Sequence, residues 1–424
     1  MRNQASGVFM SQINLIPEQD IDEFATIVAN AYPGFNISSE EDKQKLKQRL
    51  IKMQKEDTTA HLYGLYRKGT LLGGMILYDF TMNIFSVKTL AGGVGLVAVD
   101  LVHKREKVCM EMITFFLNYY KEKGACITCL YPFRPDFYRD MGFGCGTKMH
   151  QYRVKPVQLP RAEKDHIQFI DKKGKQALLE CYNRYAEKTH GMIEKKETDI
   201  DRIFDNLNFK IVGYRKGDKI LGYLVFSFKE GSKESFIVND IHIKEFVYET
   251  KEALSELLTF LHIQKDQIRY IFVNTQDEYF HHLLPDPRNN SDRIIPSVYH
   301  ESHVSGVGIM YKIIDVEKFF NMLKDHNFGE CTCKAAFNIR DSFLRENEGS
   351  YVVHFENGIP HLGRKEYEVE VSLDVSDFSS LIMGVIPFER LYQYKLAEIS
   401  HPGYVDEITK IFKTEEKPVC TTEF

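Results

Sequence analysis

The stretch Val97-Ala-Val-Asp-Leu-Val-His-Lys-Arg-Glu-Lys-Val108 decides how this chain reads. An apolar β-prone run ends in a basic turn. The turn opens onto an amphipathic pattern that carries Val108, Met112, Phe115, Phe116 and Tyr119 and stops at Gly124. The first turn of a helix has N–H groups without intrahelical partners and the positive end of the helix dipole. The junction is therefore a candidate anion site, with Lys104, Arg105 and Lys107 adding charge suited to a pyrophosphate. The same residues also read as a solvated basic helix start. Gly93-Val-Gly95 is followed by Ala98 and precedes a strand, so it is not a dinucleotide fingerprint, and no Walker A sequence occurs.

Outward from this junction, a hairpin precedes it: Leu62–Tyr66, a turn at Arg67-Lys68-Gly69, and Leu71–Tyr78 returning, after helices near 17–31 and 40–56. The short strand Cys126–Tyr131 follows it. The same order recurs roughly 148 positions later, in register through Tyr-Arg-Lys-Gly (Tyr66 and Tyr214) and a later glycine (Gly74 and Gly222), which points to duplication. The second copy has a hairpin over 209–226, a strand at 237–243, a helix at 252–264 and a strand at 269–273. Before its helix stands Lys244-Glu-Phe-Val-Tyr-Glu-Thr-Lys251, without clustered positive charge, so anion binding is expected in the first copy only. After an exposed loop at Asp286–Arg293, a third region begins near Val304. There Asp315 is expected to cap a helix at 316–323, Lys365–Asp374 alternates as a strand, Asp377 caps 378–383 and Pro387 starts 388–395. The expected domains are 1–155, 156–302 and 303–424, the first two α/β and the third α+β.

Composition excludes several classes. Lys+Arg number 55 and Asp+Glu 60, a net charge of -5, far from the basic balance of a duplex-binding protein. The short basic cluster also lacks interleaved aromatics, so no nucleic-acid partner is expected. Eight cysteines are too few for a disulfide scaffold. Cys126-Ile-Thr-Cys129 lies in a β-prone run where residues three apart face opposite ways, so it reads as buried strand cysteines. Cys331 and Cys333 lack a second pair at zinc spacing, and His281-His282 are adjacent rather than a turn apart, so no metal is expected. Met1–Ser6 has no leader-like apolar core and no run of about 18 apolar residues occurs, so the expected location is cytoplasmic, without a membrane span.

A second chemical segment is Tyr131-Pro-Phe-Arg-Pro-Asp-Phe-Tyr-Arg-Asp-Met-Gly-Phe143. Its loop returns to the end of the sheet that carries the basic turn. Tyr138 offers an O–H with an ordinary pKa of about 10, suited to protonating a thiolate, and reads equally as a core aromatic.

The phrases V-A-V-x-x-x-H-[KR]-R and F-Y-R-x-x-G-F, with a second copy and a C-terminal α+β domain, resemble the Eis-type ("enhanced intracellular survival") acetyltransferases of the GNAT superfamily. The resemblance implies two tandem GNAT-like mixed-sheet domains, the second degenerate, a third domain like a sterol carrier protein, and a hexamer. It implies acetyl-CoA as cosubstrate without a metal, and an acceptor that is a primary amine of a polycationic, aminoglycoside-like small molecule or a lysine side chain. By the same resemblance Val97, Ala98 and Val99 bond the pantetheine. Arg105, Glu106, Lys107, Val108, Cys109 and Met110 cradle the pyrophosphate, and Phe133 and Arg134 lie along the thioester end. Tyr138 is the general acid, and the α-carboxylate of Phe424 is the base. The family usually has glycine where this chain has Lys107, whose N–H could still face the phosphates at helical angles. The alternative is a non-catalytic CoA- or lipid-binding protein that uses the C-terminal domain.

Overall fold

The computed structural model describes residues 11–35, 37 and 39–424; the Met1–Ser6 stretch read for a leader lies outside the described residues. The first unit runs β1 (Gln12–Leu15), α1 (Ile21–Ala31), α2 (Glu40–Glu56), β2 (Ala60–Arg67), β3 (Thr70–Ile84), β4 (Val87–Val99), α3 (Val108–Glu122), β5 (Ile127–Leu130), α4 (Pro135–Arg139) and β6 (Gly144–Cys145). The second runs β7 (Met149–Val154), β8 (Ile167–Phe169), α5 (Lys175–Lys188), α6 (Glu197–Asp205), β9 (Lys210–Lys216), β10 (Lys219–Glu230), β11 (Asn239–Tyr248), α7 (Lys251–His262) and β12 (Ile268–Thr275). A small hairpin, β13 (Ile294–Ile295) and β14 (Tyr299–His300), leads to β15 (His303–Gly306) and β16 (Met310–Ile313). The last unit holds α8 (Val316–Met322), β17 (Cys333–Arg340), β18 (Gly349–Glu356), β19 (Ile359–Leu362), β20 (Val369–Asp374), α9 (Val375–Ile382), α10 (Phe388–Gln393), β21 (Ala397–Ile399) and α11 (Val405–Ile411).

Three large sheets result, ordered β1-β2-β3-β4-β5-β16-β6, β15-β7-β12-β11-β10-β9-β8 and β19-β18-β17-β20-β21. The segment 303–313 stitches the units together: β15 pairs with β7 in the second sheet, and β16 inserts between β5 and β6 in the first. Lys312 on β16 is fully buried. It donates to the Met141 carbonyl and pairs with Asp341 at 2.8 Å, while burial pulls its ammonium pKa down. The first sheet is covered on both faces. α1 buries Ile21, Phe24, Ile27 and Val28 on one side, and α3 buries Val108, Met112, Ile113, Phe116, Leu117 and Tyr120 on the other. Phe116 is fully buried, so Phe116→Ala should cost about 3–5 kcal/mol.

The two copies share one feature that matters for function. β4 and β5 pair in parallel only over Ala91–Val94 with Ile127–Leu130, then diverge. β11 and β12 pair only from Asn239–His242 with Ile268–Phe272 before diverging. Each open strand also carries a slip against its antiparallel neighbour, between Gly74 and Ile76 in the first copy and Val225 and Phe226 in the second. Leu96 in the first slip has φ 48.

In the third unit Val369, Val371 and Leu373 point inward from β20, as the alternation requires, and Phe320, Phe328, Phe337, Phe355, Phe378 and Phe412 interlock in the core. Asp315 caps α8 as expected. Asp377 does not cap its helix. The cap is Asp374, which ends β20 in extended geometry and accepts from the Ser376 N–H, so α9 begins earlier. Asp377 instead sits inside α9 and takes a two-oxygen contact from Arg139.

Candidate active site

Alternate residues of a strand direct their peptide groups to opposite edges. Ala98 pairs with Gly74, and the Asp100 N–H reaches the Leu72 carbonyl, so the peptide groups of Val97 and Val99 face the gap left by β5. The gap continues into a cleft of about 430 Å³ lined by Ala31, Tyr32, Val97, Val99, His103, Lys104, Arg105, Lys107, Val108, Cys109, Met110, Phe133 and Phe137. Eight of the eleven residues expected to hold the cofactor are in this lining. Ala98 is buried behind the strand with its peptide turned to β3. Glu106 faces away, bonded to Arg67 and His103, and Arg134 is bonded to Asp136.

The basic turn has the geometry of an anion cradle. No side chain caps the start of α3, so the N–H groups of its first turn are open to the cleft. Lys107 does not adopt helical angles: it stands at φ 64, ψ 9, the left-handed conformation that glycine adopts without cost, and Arg105 is left-handed too at φ 69. Such a conformation suits the glycine that the family resemblance implies here. The turn needs positive φ, and here a lysine supplies it with strain.

Tyr138 lies in α4, 3% exposed, edge-on to Phe133, Phe137 and Phe143. Burial, then the nearby Cys109 and Tyr32, push its phenol well above the ordinary range, so it keeps its proton. Tyr138 is packed in the core beside the lining residue Cys109 and does not itself line the cleft. Burial also pushes the Cys109 thiol up to about 12, so it is a poor nucleophile. Cys126 and Cys129 are free and buried, Cys129 in β5 and Cys126 just before it, their thiols raised by burial.

The chain end reaches the same sheet. The Phe424 ring sits among Phe80 at 4.7 Å, Tyr131 at 5.3 Å and Tyr78 at 5.7 Å between centroids. A Cβ built on Gly95 would stand 3.0 Å from the Phe424 carboxyl carbon and 3.3 Å from its oxygen. The carboxyl group thus lies at the mouth of the gap, two residues before Val97. Gly95 belongs to the glycine run that looked like a failed fingerprint. Its absent side chain makes room for the chain end, and a Cβ on Gly93 would collide with Phe80. Tyr32 was not foreseen either: its hydroxyl donates to the Val97 carbonyl at 2.6 Å, and a tyrosine between two helices gives no sequence signal for that. Ala31, His103, Lys104 and Phe137 complete the lining.

Among the described residues no group of three or more His, Cys, Asp or Glu side chains could hold a metal, and no helix is long and apolar enough to cross a membrane.

Residues 12–146 and 188–303 each match an acetyltransferase (GNAT) domain, and residues 316–421 match a sterol carrier protein domain. Comparison with curated proteins gave no match. Among solved structures, a GCN5-related N-acetyltransferase from Anabaena variabilis is similar at 16% identity and TM-score 0.81, over 98% of this chain and all of that one. Eis1 from Mycobacterium abscessus is similar at 18% identity and TM-score 0.76, with the same coverage. A GCN5-related N-acetyltransferase from Kribbella flavida is similar at 15% identity and TM-score 0.76, again over 98% of this chain and all of the other. At these identities the likeness is one of fold.

Proposed function

We propose, on the premise that this chain is a GNAT N-acetyltransferase with the Eis-type order of domains, that it acetylates a primary amine by direct transfer at the mouth of the first copy's open strand pair. The observation that carries this reading is the Phe424 carboxyl group against Gly95, beside the cleft that Val97 and Val99 line. Acetyl-CoA supplies the acetyl group, activated as a thioester. The open N–H groups of α3, with Lys104, Arg105 and Lys107 around them, fit its pyrophosphate, and the peptide edges of Val97 and Val99 fit its pantetheine. Phe424 accepts the proton that makes the acceptor nitrogen nucleophilic. Peptide N–H groups near Val99 stabilise the negative oxygen that develops on the acyl carbonyl. Tyr138 gives its proton to the departing sulfur. Two protons leave the nitrogen: the first, taken by the Phe424 carboxylate, is released to water, and the second, lost from the acylated nitrogen as the intermediate collapses, replaces the proton that Tyr138 gave to the sulfur.

The acceptor we infer is an amine of a polycationic, aminoglycoside-like molecule or a lysine side chain. The support is the carboxylate at the point of attack. The test is acetyl-CoA-dependent thiol release over aminoglycosides, polyamines and lysine peptides. Turnover with at least one amine is expected. Full turnover by both Tyr138→Phe and a chain extended by one residue past Phe424 would remove the two role assignments.

A further inference from the structure

The second copy keeps the open strand pair but loses the anion cradle. Thr250 caps α7 by accepting from the Ala253 N–H, where α3 has no cap. Its opening meets the chain's own last residues. The Val419 N–H donates to the His190 carbonyl at 2.8 Å. The Cys420 N–H donates to Gln276, just past β12, at 2.7 Å, and Gln276 in turn donates to the Thr147 carbonyl at 3.0 Å. On the open part of β11, Lys244 pairs with Glu423. Lys244 is the residue left unpaired by the β10–β11 slip, and the duplication register sets it opposite Leu96, the left-handed residue of the first copy's slip. Tyr131, just past β5, donates to the Cys420 carbonyl at 3.4 Å. The tail is therefore held between two related openings: the second grips Cys420 and Glu423, and the first receives Phe424.

We propose that the second domain is a clamp that positions the terminal carboxylate, with Gln276 and Lys244 as positioning residues; this rests on the reading of Phe424 as base. Gln276 is 6% exposed and Cys420 fully buried, so this hydrogen bond is made away from water and fixes the tail's register. Lys244 and Glu423 are more exposed and set the last step of its direction.

The test is steady-state kinetics on the full chain with acetyl-CoA and an amine that the thiol-release panel identifies. Gln276→Leu should lower kcat about tenfold with the KM for acetyl-CoA unchanged to about twofold. Lys244→Glu, a surface change that spares folding, should lower kcat about threefold, and Lys244→Glu with Glu423→Lys should restore it. A loss confined to the KM for acetyl-CoA, or a swap that restores nothing, overturns the clamp. Deletion of Phe424 separates the two claims. If deletion leaves kcat intact, the base assignment fails and takes the clamp's catalytic purpose with it. If deletion abolishes turnover while the Gln276 and Lys244 variants turn over normally, the clamp alone fails.

Discussion

Gly95→Ala is a small change that should act on chemistry rather than on folding or cofactor binding. Gly95 has no positive φ, so alanine fits its backbone and only the new Cβ matters. That carbon would stand 3.0 Å from the Phe424 carboxyl carbon and 3.2 Å from a ring carbon of Tyr78. Ordinary carbon contacts lie at about 3.5–4.0 Å, so the carboxyl must retreat by about 0.5–1 Å. A misplacement of that order at a reacting group costs roughly tenfold to a hundredfold in rate. We expect kcat to fall by about that factor while the KM for acetyl-CoA stays within about twofold, because Gly95 does not line the cleft. The new contact falls on the Phe424 carboxyl group, with the tail still held at Cys420 and Glu423, so the melting temperature should drop by no more than about 2–4 °C. Kinetics and thermal melts on the same preparation check both. Wild-type kcat, or a loss in KM alone, would refute the placement of the base.

Tyr138→Phe removes the proposed proton donor but keeps the packing against Phe133, Phe137 and Phe143, so kcat should fall about 10²–10⁴-fold with an unchanged melt, measured by thiol release. Lys107→Gly relieves the left-handed strain and deletes one charge beside the α3 N-terminus, so the melt should hold or rise slightly while the KM for acetyl-CoA rises a few-fold; a collapsed melt would mean that the turn does not need positive φ. His190 stacks on Phe85 at 4.0 Å, accepts from the Phe85 N–H, and contacts the Met383 carbonyl, and burial lowers its pKa to about 4. The unfolded chain therefore binds more protons than the folded one between about pH 6.5 and 4. This contribution is fully present above the unfolded pKa and is lost as pH falls through the folded one. Melts across that window should decline more steeply in the wild type than in His190→Gln.

The parts of the site that were legible lie in continuous stretches where residue type forces geometry. The basic turn before α3 and the F-Y-R-x-x-G-F segment are of this kind, because local sequence sets where a helix starts and which residues flank it. The duplication was legible through the shared hairpin turn and the common order of elements. What escaped depends on contacts between distant residues. The apolar run at 307–314 carries no mark saying that 310–313 will insert beside β5, since such a run pairs equally well with any open edge. Asp374 and Asp377 are both competent caps three residues apart, and the choice fell to Asp374 because β20 ends there. The left-handed backbone of Lys107 was hidden because lysine seldom adopts it, so residue type argued for helical angles.

The divergent fates of the two copies follow from one physical demand. A parallel strand pair that opens leaves peptide groups facing a gap, and buried peptide groups must find partners. The second copy fills the space around its opening from within. Lys195 and Tyr223 both bond Glu245 on the open part of β11, and Lys195 lies over the Tyr182 ring. The tail closes what is left. In the first copy the residues along the gap are Val97 and Val99, whose side chains cannot fold back to satisfy the edge, and a single tyrosine hydroxyl covers one carbonyl. Its remaining peptide groups point into a cleft with an uncapped helix end and three cations at its far side. Such an arrangement is completed by a molecule that brings hydrogen-bonding amides along its length and negative charge at one end. On the proposed reading, the side chains on β4 and β11, rather than the fold the copies share, determine which copy takes the cofactor and which grips the tail.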